Sequence, residues 1–277
     1  MSARVYLVGA GPGAPDLLTM RAARLLAQAD VVLHDALVHP DTLALATQAH
    51  RVDVGKRSGT RSTDQRFICR FLVSAARRYK TVVRLKGGDP MLFGRAQEEL
   101  DALHAAGIEV EVVPGVTAAL AASAQLKAPL TRRGDGRSVL FLTPRVGAGQ
   151  TAHAWAQSSR AADTLALYMA ASDARGTMEQ LIEAGWPADT AIALVESASL
   201  QHSRSSRGIL GELPRLAEEL GSGPVMLLAG AAIKQTENQQ SDLPASDNHS
   251  HPFATISAVG HDLVRNGDSI PPVSKPV

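Results

Sequence analysis

The chain has 277 residues, with 28 basic against 27 acidic side chains and a net charge of +1. So even a balance gives no general attraction to nucleic acid or to an anionic membrane surface, and an acidic ligand would have to be met by a local group of arginines. The single cysteine, Cys69, excludes an internal disulfide and a cysteine-based zinc site and suits a reducing compartment, while 45% hydrophobic residues suffice for a core.

The N-terminus leads straight into an apolar run over residues 5–8. No basic region, long apolar core and cleavage site precede it, so no signal peptide is expected and the protein is read as cytoplasmic. No run of about 18 apolar residues predicts a membrane span. Residues 5–8 are read as a strand, 17–29 as a helix and 31–33 as a strand. A helix follows over 63–78, a strand over 82–85, and a helix over 96–106 ended by Gly107. Then come a strand over 110–113 and a small-residue helix over 116–126. This alternation predicts an α/β fold with a mainly parallel, helix-covered sheet. Residues 127–137, with Pro129, Gly134 and Gly136, read as a connection. A second set has strands at 139–142, 165–169, 192–195 and 225–228, helices at 174–184 and 214–220, and an extended, polar-edged segment at 203–209. The expected organisation is an N-terminal α/β domain over 1–130, a C-terminal α/β domain over 131–235 and a disordered polar tail over 236–277.

Gly9-Ala10-Gly11-Pro12-Gly13-Ala14 follows the first strand, precedes a helix and fits the dinucleotide pattern G-x-G-x-x-A. Asp35 ends the second strand, where that pattern wants a ribose-binding acid. Glycines let a backbone turn sharply and approach any ligand, so these residues leave NAD, another nucleotide and a bare strand-to-helix turn open. The segment from Arg84 to Arg95 ends a strand with Gly87-Gly88. Asp89 beside them can accept hydrogen bonds from ribose hydroxyls or an amino group. Two such loops on one sheet would line one crevice.

With Glu98 and Glu99 after Arg95, and the segments Asp35-Ala36-Leu37-Val38, Gly55-Lys56-Arg57-Ser58-Gly59 with Ser62 and Gln65, Val113 to Ala118, and Pro129-Leu130-Thr131, these motifs closely resemble the tetrapyrrole methylases. The resemblance runs from Val5 to about Gly230, and the Gly-Lys-Arg-x-Gly segment is similar to the branch that methylates uroporphyrinogen III. It implies two α/β domains with S-adenosylmethionine folded in the cleft between them, and a homodimer. The implied cofactor contacts are Pro12, Gly87, Gly88, Asp89, Leu92, Thr117, Ala118, Met169 and Ala198. The implied reaction methylates positions 2 and 7 of uroporphyrinogen III, giving precorrin-2 and S-adenosylhomocysteine.

The sulfonium is already electrophilic, so the protein must mainly hold the ring carbon in line and manage the proton lost afterwards. By resemblance Asp35 and Lys56 match acid–base positions, and Arg95, Glu98, Arg133 and Met169 match substrate positions. Arg57, Arg95, Arg132 and Arg133 suit the substrate carboxylates. Arginine does not give up its proton, so Arg95 is read as a catalytic anchor and electrostatic stabiliser rather than a proton acceptor. From the residues alone, Arg95 could instead pair with Glu98 or Glu99, Asp35 could cap a helix, and Met169 could be core. Against the family pattern, Ala14 replaces Asp, Arg61 and Arg132 replace His, Ala96-Gln97 replaces Gly-Gly, Pro144-Arg145 replaces Gly-His and Ser197-Ala198-Ser199 replaces Asn-Gly-Thr. Rival readings are a methylase of a later corrin intermediate, an NAD-dependent oxidoreductase and a tetrapyrrole carrier. No metal site is expected, His249 and His251 being a close pair in the tail.

Overall fold

The computed structural model describes residues 4–55, 65–134, 136–145 and 154–234, all within one compact unit, Met1–Thr236. Lys56, Arg57, Arg61, Ser62 and the tail fall outside the described residues.

Strands β1 (Arg4–Gly9), β2 (Val31–His34), β3 (His50–Asp53), β4 (Thr81–Lys86) and β5 (Val110–Val113) form a sheet in the order β3-β2-β4-β1-β5. Every pairing in it is parallel, as the βα alternation predicts. The connecting helices are α1 (Met20–Ala27), α2 (Pro40–Ala44), α3 (Gln65–Arg78) and α4 (Ala96–Ala105). Thr19 starts α1, its hydroxyl accepting the Ala22 N–H at 3.2 Å.

The two-residue period of the strands sorts their side chains between two layers. Tyr6, Val8, Val32, Val83 and Leu85 pack with Ala22 and Leu26 of α1. Val5, Val31, Leu33 and Val82 pack with Ile68 and Leu72 of α3 and Leu103 of α4. Leu26, Leu72 and Leu103 are wholly buried, each worth about 1.5–3 kcal/mol in transfer from water. Arg84 and Lys86 follow Val82 at steps of two, so they project into the α3–α4 layer.

Helix α5 (Ala118–Gln125) leaves the end of β5 but packs on a second sheet, of β6 (Val139–Leu142), β7 (Thr164–Tyr168), β8 (Ala191–Glu196), β9 (Arg204–Ile209) and β10 (Val225–Gly230). Its order is β6-β7-β10-β8-β9, with only β6–β7 parallel. Ala119 and Ala122 of α5 cover one face, against Ala166, Ala193, Val195, Met226 and Leu228. Helices α6 (Trp155–Ser159), α7 (Ala174–Glu183) and α8 (Leu213–Glu218) cover the other, around Leu165, Leu167, Leu194 and Leu227. The polar segment near 203–209 is the edge strand β9. Among the strands and α-helices of the described residues, three were not expected: β3, a largely exposed edge strand reading His-Arg-Val-Asp, and the five-residue helices α2 and α6. Among the described residues no helix is long and apolar enough to cross a membrane.

Candidate active site

The strand order places β2, β4, β1 and β5 side by side, so the loops leaving their carboxyl ends meet above one edge of the sheet. That edge is where open parallel sheets bind ligands. The loops after β1, β4 and β5 are drawn together until glycine alone fits. A Cβ on Gly9 would lie 2.6 Å from the Gly115 nitrogen and 2.7 Å from the Gly88 carbonyl oxygen; one on Gly115 would lie 2.9 Å from Gly9 Cα. Gly11 and Gly88 exchange backbone hydrogen bonds, Gly11 N–H donating at 3.2 Å and Gly88 N–H at 2.7 Å.

Asp89 is the clasp between two of these loops. Its carboxylate accepts Met91 N–H at 2.8 Å and Gly115 N–H at 3.0 Å. A carboxylate has about four lone-pair sites, so Asp89 keeps acceptor capacity for a ligand. Leu92 N–H donates to the Asp89 carbonyl at 3.3 Å, closing the turn that holds Leu92 beside it. Pro12 sits in the first loop, and Gly87, Gly88, Thr117 and Ala118 line its neighbours. The sequence-read cofactor residues of the first sheet are therefore gathered at one edge.

The second sheet reaches the same place. Tyr168, at the end of β7, holds its hydroxyl 2.6 Å from Thr117 Oγ1 and its ring 5.0 Å from that of Phe93. Burial pushes the Tyr168 phenol above its usual range, so it stays protonated. Ala14 N–H donates to Ser199 Oγ at 3.0 Å across 185 residues of sequence. Met169 is 40% exposed beside Tyr168. Ala198 is buried in the core that α5 shares with the second sheet, so its methyl group faces protein. Phe93, Arg95, Met169, Ser197 and Ser199 all have positive φ without being glycine. Each such residue costs on the order of 1–3 kcal/mol, and such strain gathers at functional sites.

Asp35 follows β2 and does not cap a helix by its side chain. Its Oδ1 accepts Arg84 Nη2 at 2.6 Å. Arg84 Nε and Lys86 Nζ in turn donate to Glu99 Oε1, at 3.1 and 3.0 Å. Desolvation first, and then the neighbouring Arg84 charge, push the Lys86 ammonium below its usual range. This buried network was not singled out from sequence. Its signal was present in Arg84 and Lys86 two apart in an apolar strand, hence on one face and in need of an acid. Tyr168 was also missed, since a lone tyrosine ending a strand carries no spacing.

Arg95 precedes α4 and grips Glu98 through two hydrogen bonds of 2.7 Å each, with both side chains about half exposed. That pairing holds the guanidinium fork at the surface, where a carboxylate could take Glu98's place. Arg133 is exposed in the turn closed by Arg132 and Gly136. Among the described residues no group of three or more His, Cys, Asp or Glu could hold a metal ion.

Residues 4–214 match the family described as Tetrapyrrole (Corrin/Porphyrin) Methylases. The chain is 42% identical over 246 residues to the uroporphyrinogen-III C-methyltransferase of Pseudomonas aeruginosa, covering 88% of this chain and 100% of that one. It is 45% identical over 235 residues to the siroheme synthase of Pseudomonas fluorescens, and spans about half (51%) of that longer protein. Among solved structures, the uroporphyrin-III C-methyltransferase of Thermus thermophilus complexed with S-adenosylhomocysteine matches with a TM-score of 0.73 and 38% identity, over 83% of this chain and 99% of that one. The glycine-lined edge, the second sheet that closes on it and these likenesses along nearly the whole chain make the protein a member of the tetrapyrrole methylase family.

Proposed function

We propose that this chain transfers methyl groups from S-adenosylmethionine to two pyrrole carbons of uroporphyrinogen III, giving precorrin-2 and S-adenosylhomocysteine. The observation that carries the reading is the identity along the full length of the P. aeruginosa relative. The edge described above suits the cofactor: at Gly87 and Gly88 an added Cβ would meet nothing nearer than 3.7 Å, which leaves room beside the backbone for a nucleoside, Asp89 retains lone pairs and Thr117 carries a hydroxyl. When bound there, S-adenosylmethionine supplies a methyl group on a strongly electrophilic sulfonium.

The chain's own residues have the remaining tasks. Pro12, Gly87, Gly88, Asp89, Leu92, Thr117, Ala118, Met169 and the backbone at Ala198 hold the cofactor. Arg57, Arg95 and Arg133 meet substrate carboxylates as forks that stay charged. Glu98 governs how freely Arg95 does so, since the fork must leave one carboxylate to grip another. Met169 offers an exposed apolar side chain beside the strained turn after β7. Asp35 takes up the ring proton, Lys56 completes the acid–base pair and Arg95 stabilises developing charge. The family resemblance supports a homodimer, which sedimentation of the purified protein measures.

The test is an anaerobic incubation of the purified protein with uroporphyrinogen III and S-adenosylmethionine. The expected outcome is a product heavier by two methyl groups, with S-adenosylhomocysteine released in step. Folded protein that binds S-adenosylhomocysteine but methylates nothing would sink the substrate assignment and turn the search to later corrin intermediates.

A further inference from the structure

We infer that Glu99 is a positioning residue for the reaction, fixing Asp35 through Arg84 from the buried side of the first sheet. The inference rests on the proposed role of Asp35. Strand β4 sends Arg84 and Lys86 into the layer beneath α3 and α4, where they are 2% and 3% exposed. Both cations converge on a single atom, Glu99 Oε1, and Gln65 Nε2, from the first residue of α3, joins them at 3.1 Å. The far side of the same guanidinium donates Nη2 to Asp35 and Nη1 to the Leu85 and Leu33 carbonyls, at 3.1 and 3.5 Å. A guanidinium is planar and rigid, so holding Nε fixes the plane in which Nη2 points. Asp35 is thereby held from behind while 32% of its side chain remains exposed at the cleft edge.

Stability alone gives no reason for this arrangement. Buried ionic groups can often be replaced by apolar ones without loss. Glu99 is fully buried, yet its Oε2 finds no hydrogen-bond partner among the described residues, which adds an unmet desolvation cost. The charges balance, Arg84 and Lys86 against Glu99 and Asp35, so the cluster survives burial. The geometry it enforces is that of one side chain at the edge where the glycine loops meet.

Glu99→Asp tests this, since it keeps the charge and withdraws the carboxylate by one methylene, out of common reach of its three donors. Wild type and variant are compared in thermal unfolding, S-adenosylhomocysteine binding and steady-state methylation of uroporphyrinogen III. The expected result is a kcat lower by on the order of a hundredfold, with S-adenosylhomocysteine affinity unchanged, because the glycine loops have their own hydrogen bonds. Wild-type kcat, or cofactor affinity falling in step with kcat, would overturn the inference, the latter making Glu99 a general support of the fold. Arg84→Lys gives a second reading and decides alone if Glu99→Asp does not fold: it keeps the charge but cannot span Glu99 and Asp35 together, and the same split is expected. Wild-type protein that methylates no uroporphyrinogen III removes the underlying reading and the inference with it, and is seen before any substitution is made.

Discussion

Glu99 and Glu196 are both buried carboxylates, one beside each sheet, and they are satisfied in different ways. Glu99 faces side chains, Arg84 and Lys86 on β4 and Gln65 on α3, and among the described residues one of its oxygens has no hydrogen-bond partner. Glu196, at the end of β8, faces mostly backbone. It accepts Gly223 N–H at 2.7 Å, Gly221 N–H at 3.0 Å and Arg204 Nε at 2.9 Å. A carboxylate bound to backbone amides ties a loop down. A carboxylate bound to long charged side chains hands order on to whatever those side chains touch next. The difference matches the work of the two sheets: the first carries the glycine loops and Asp35, while the second mainly supplies walls and support.

Substitutions can break that contrast or sharpen it. The largest effect is expected at Gly115→Ala, whose new Cβ meets backbone of two other loops and has no flexible side chain to push aside. Calorimetry should show S-adenosylhomocysteine binding weakened by on the order of a hundredfold or more, the scale of a mispositioned site. Wild-type affinity would mean that the meeting of the loops is irrelevant to the cofactor. Leu194→Ala, wholly buried in the second sheet, should cost about 2–5 kcal/mol in denaturant unfolding. Cofactor affinity measured well below the melting temperature should hardly move; a parallel loss would erase the division of labour.

Glu196 gives a pH signature. Gly221 N–H is the largest cause holding its carboxyl below the usual range, with Gly223 N–H and Arg204 adding to it and burial pulling the other way. A depressed folded value means that its contribution is complete above the unfolded value near 4.5 and is lost as the pH falls below that. Glu196→Gln should therefore lower the melting temperature at neutral pH and flatten its decline in acid; a parallel decline would assign the acid sensitivity elsewhere. The smallest effect is expected at Arg21→Ala. Its pair with Glu111, at 2.8 Å, is largely exposed, so the change should be under about 1 kcal/mol and fade with salt.

What the sequence disclosed followed from locality. Glycine loops announce themselves within six residues, and apolar runs such as Val82-Val83 mark central strands. The resemblance to tetrapyrrole methylases rested on those same short motifs. Strand β3 escaped because an exposed edge needs no apolar alternation, and α2 and α6 because five residues hold too little periodicity. Contacts between distant segments were the least legible. Nothing near Ala14 points to Ser199, and nothing near Asp35 points to Glu99. Arg84 stood inside a recognised motif, yet its buried role depends on which face of β4 it takes and on what α4 places above it. Pairing of Arg95 with Glu98 or Glu99 was one of the readings the short spacing allowed, and Glu98 is the partner found, with Arg95 just ahead of α4.

Helix α5 has a consequence for anyone who would divide this protein. Its first turn grows from the glycine-rich loop after β5, but its alanine face is the cover of the second sheet. A split gene broken in the glycine-containing stretch near residue 134 would give α5 to the wrong fragment. The later fragment would carry Ala166, Ala193, Val195, Met226 and Leu228 bare, an adhesive surface in search of its missing lid. The later fragment should be recovered only together with the earlier one, which holds part of its interior.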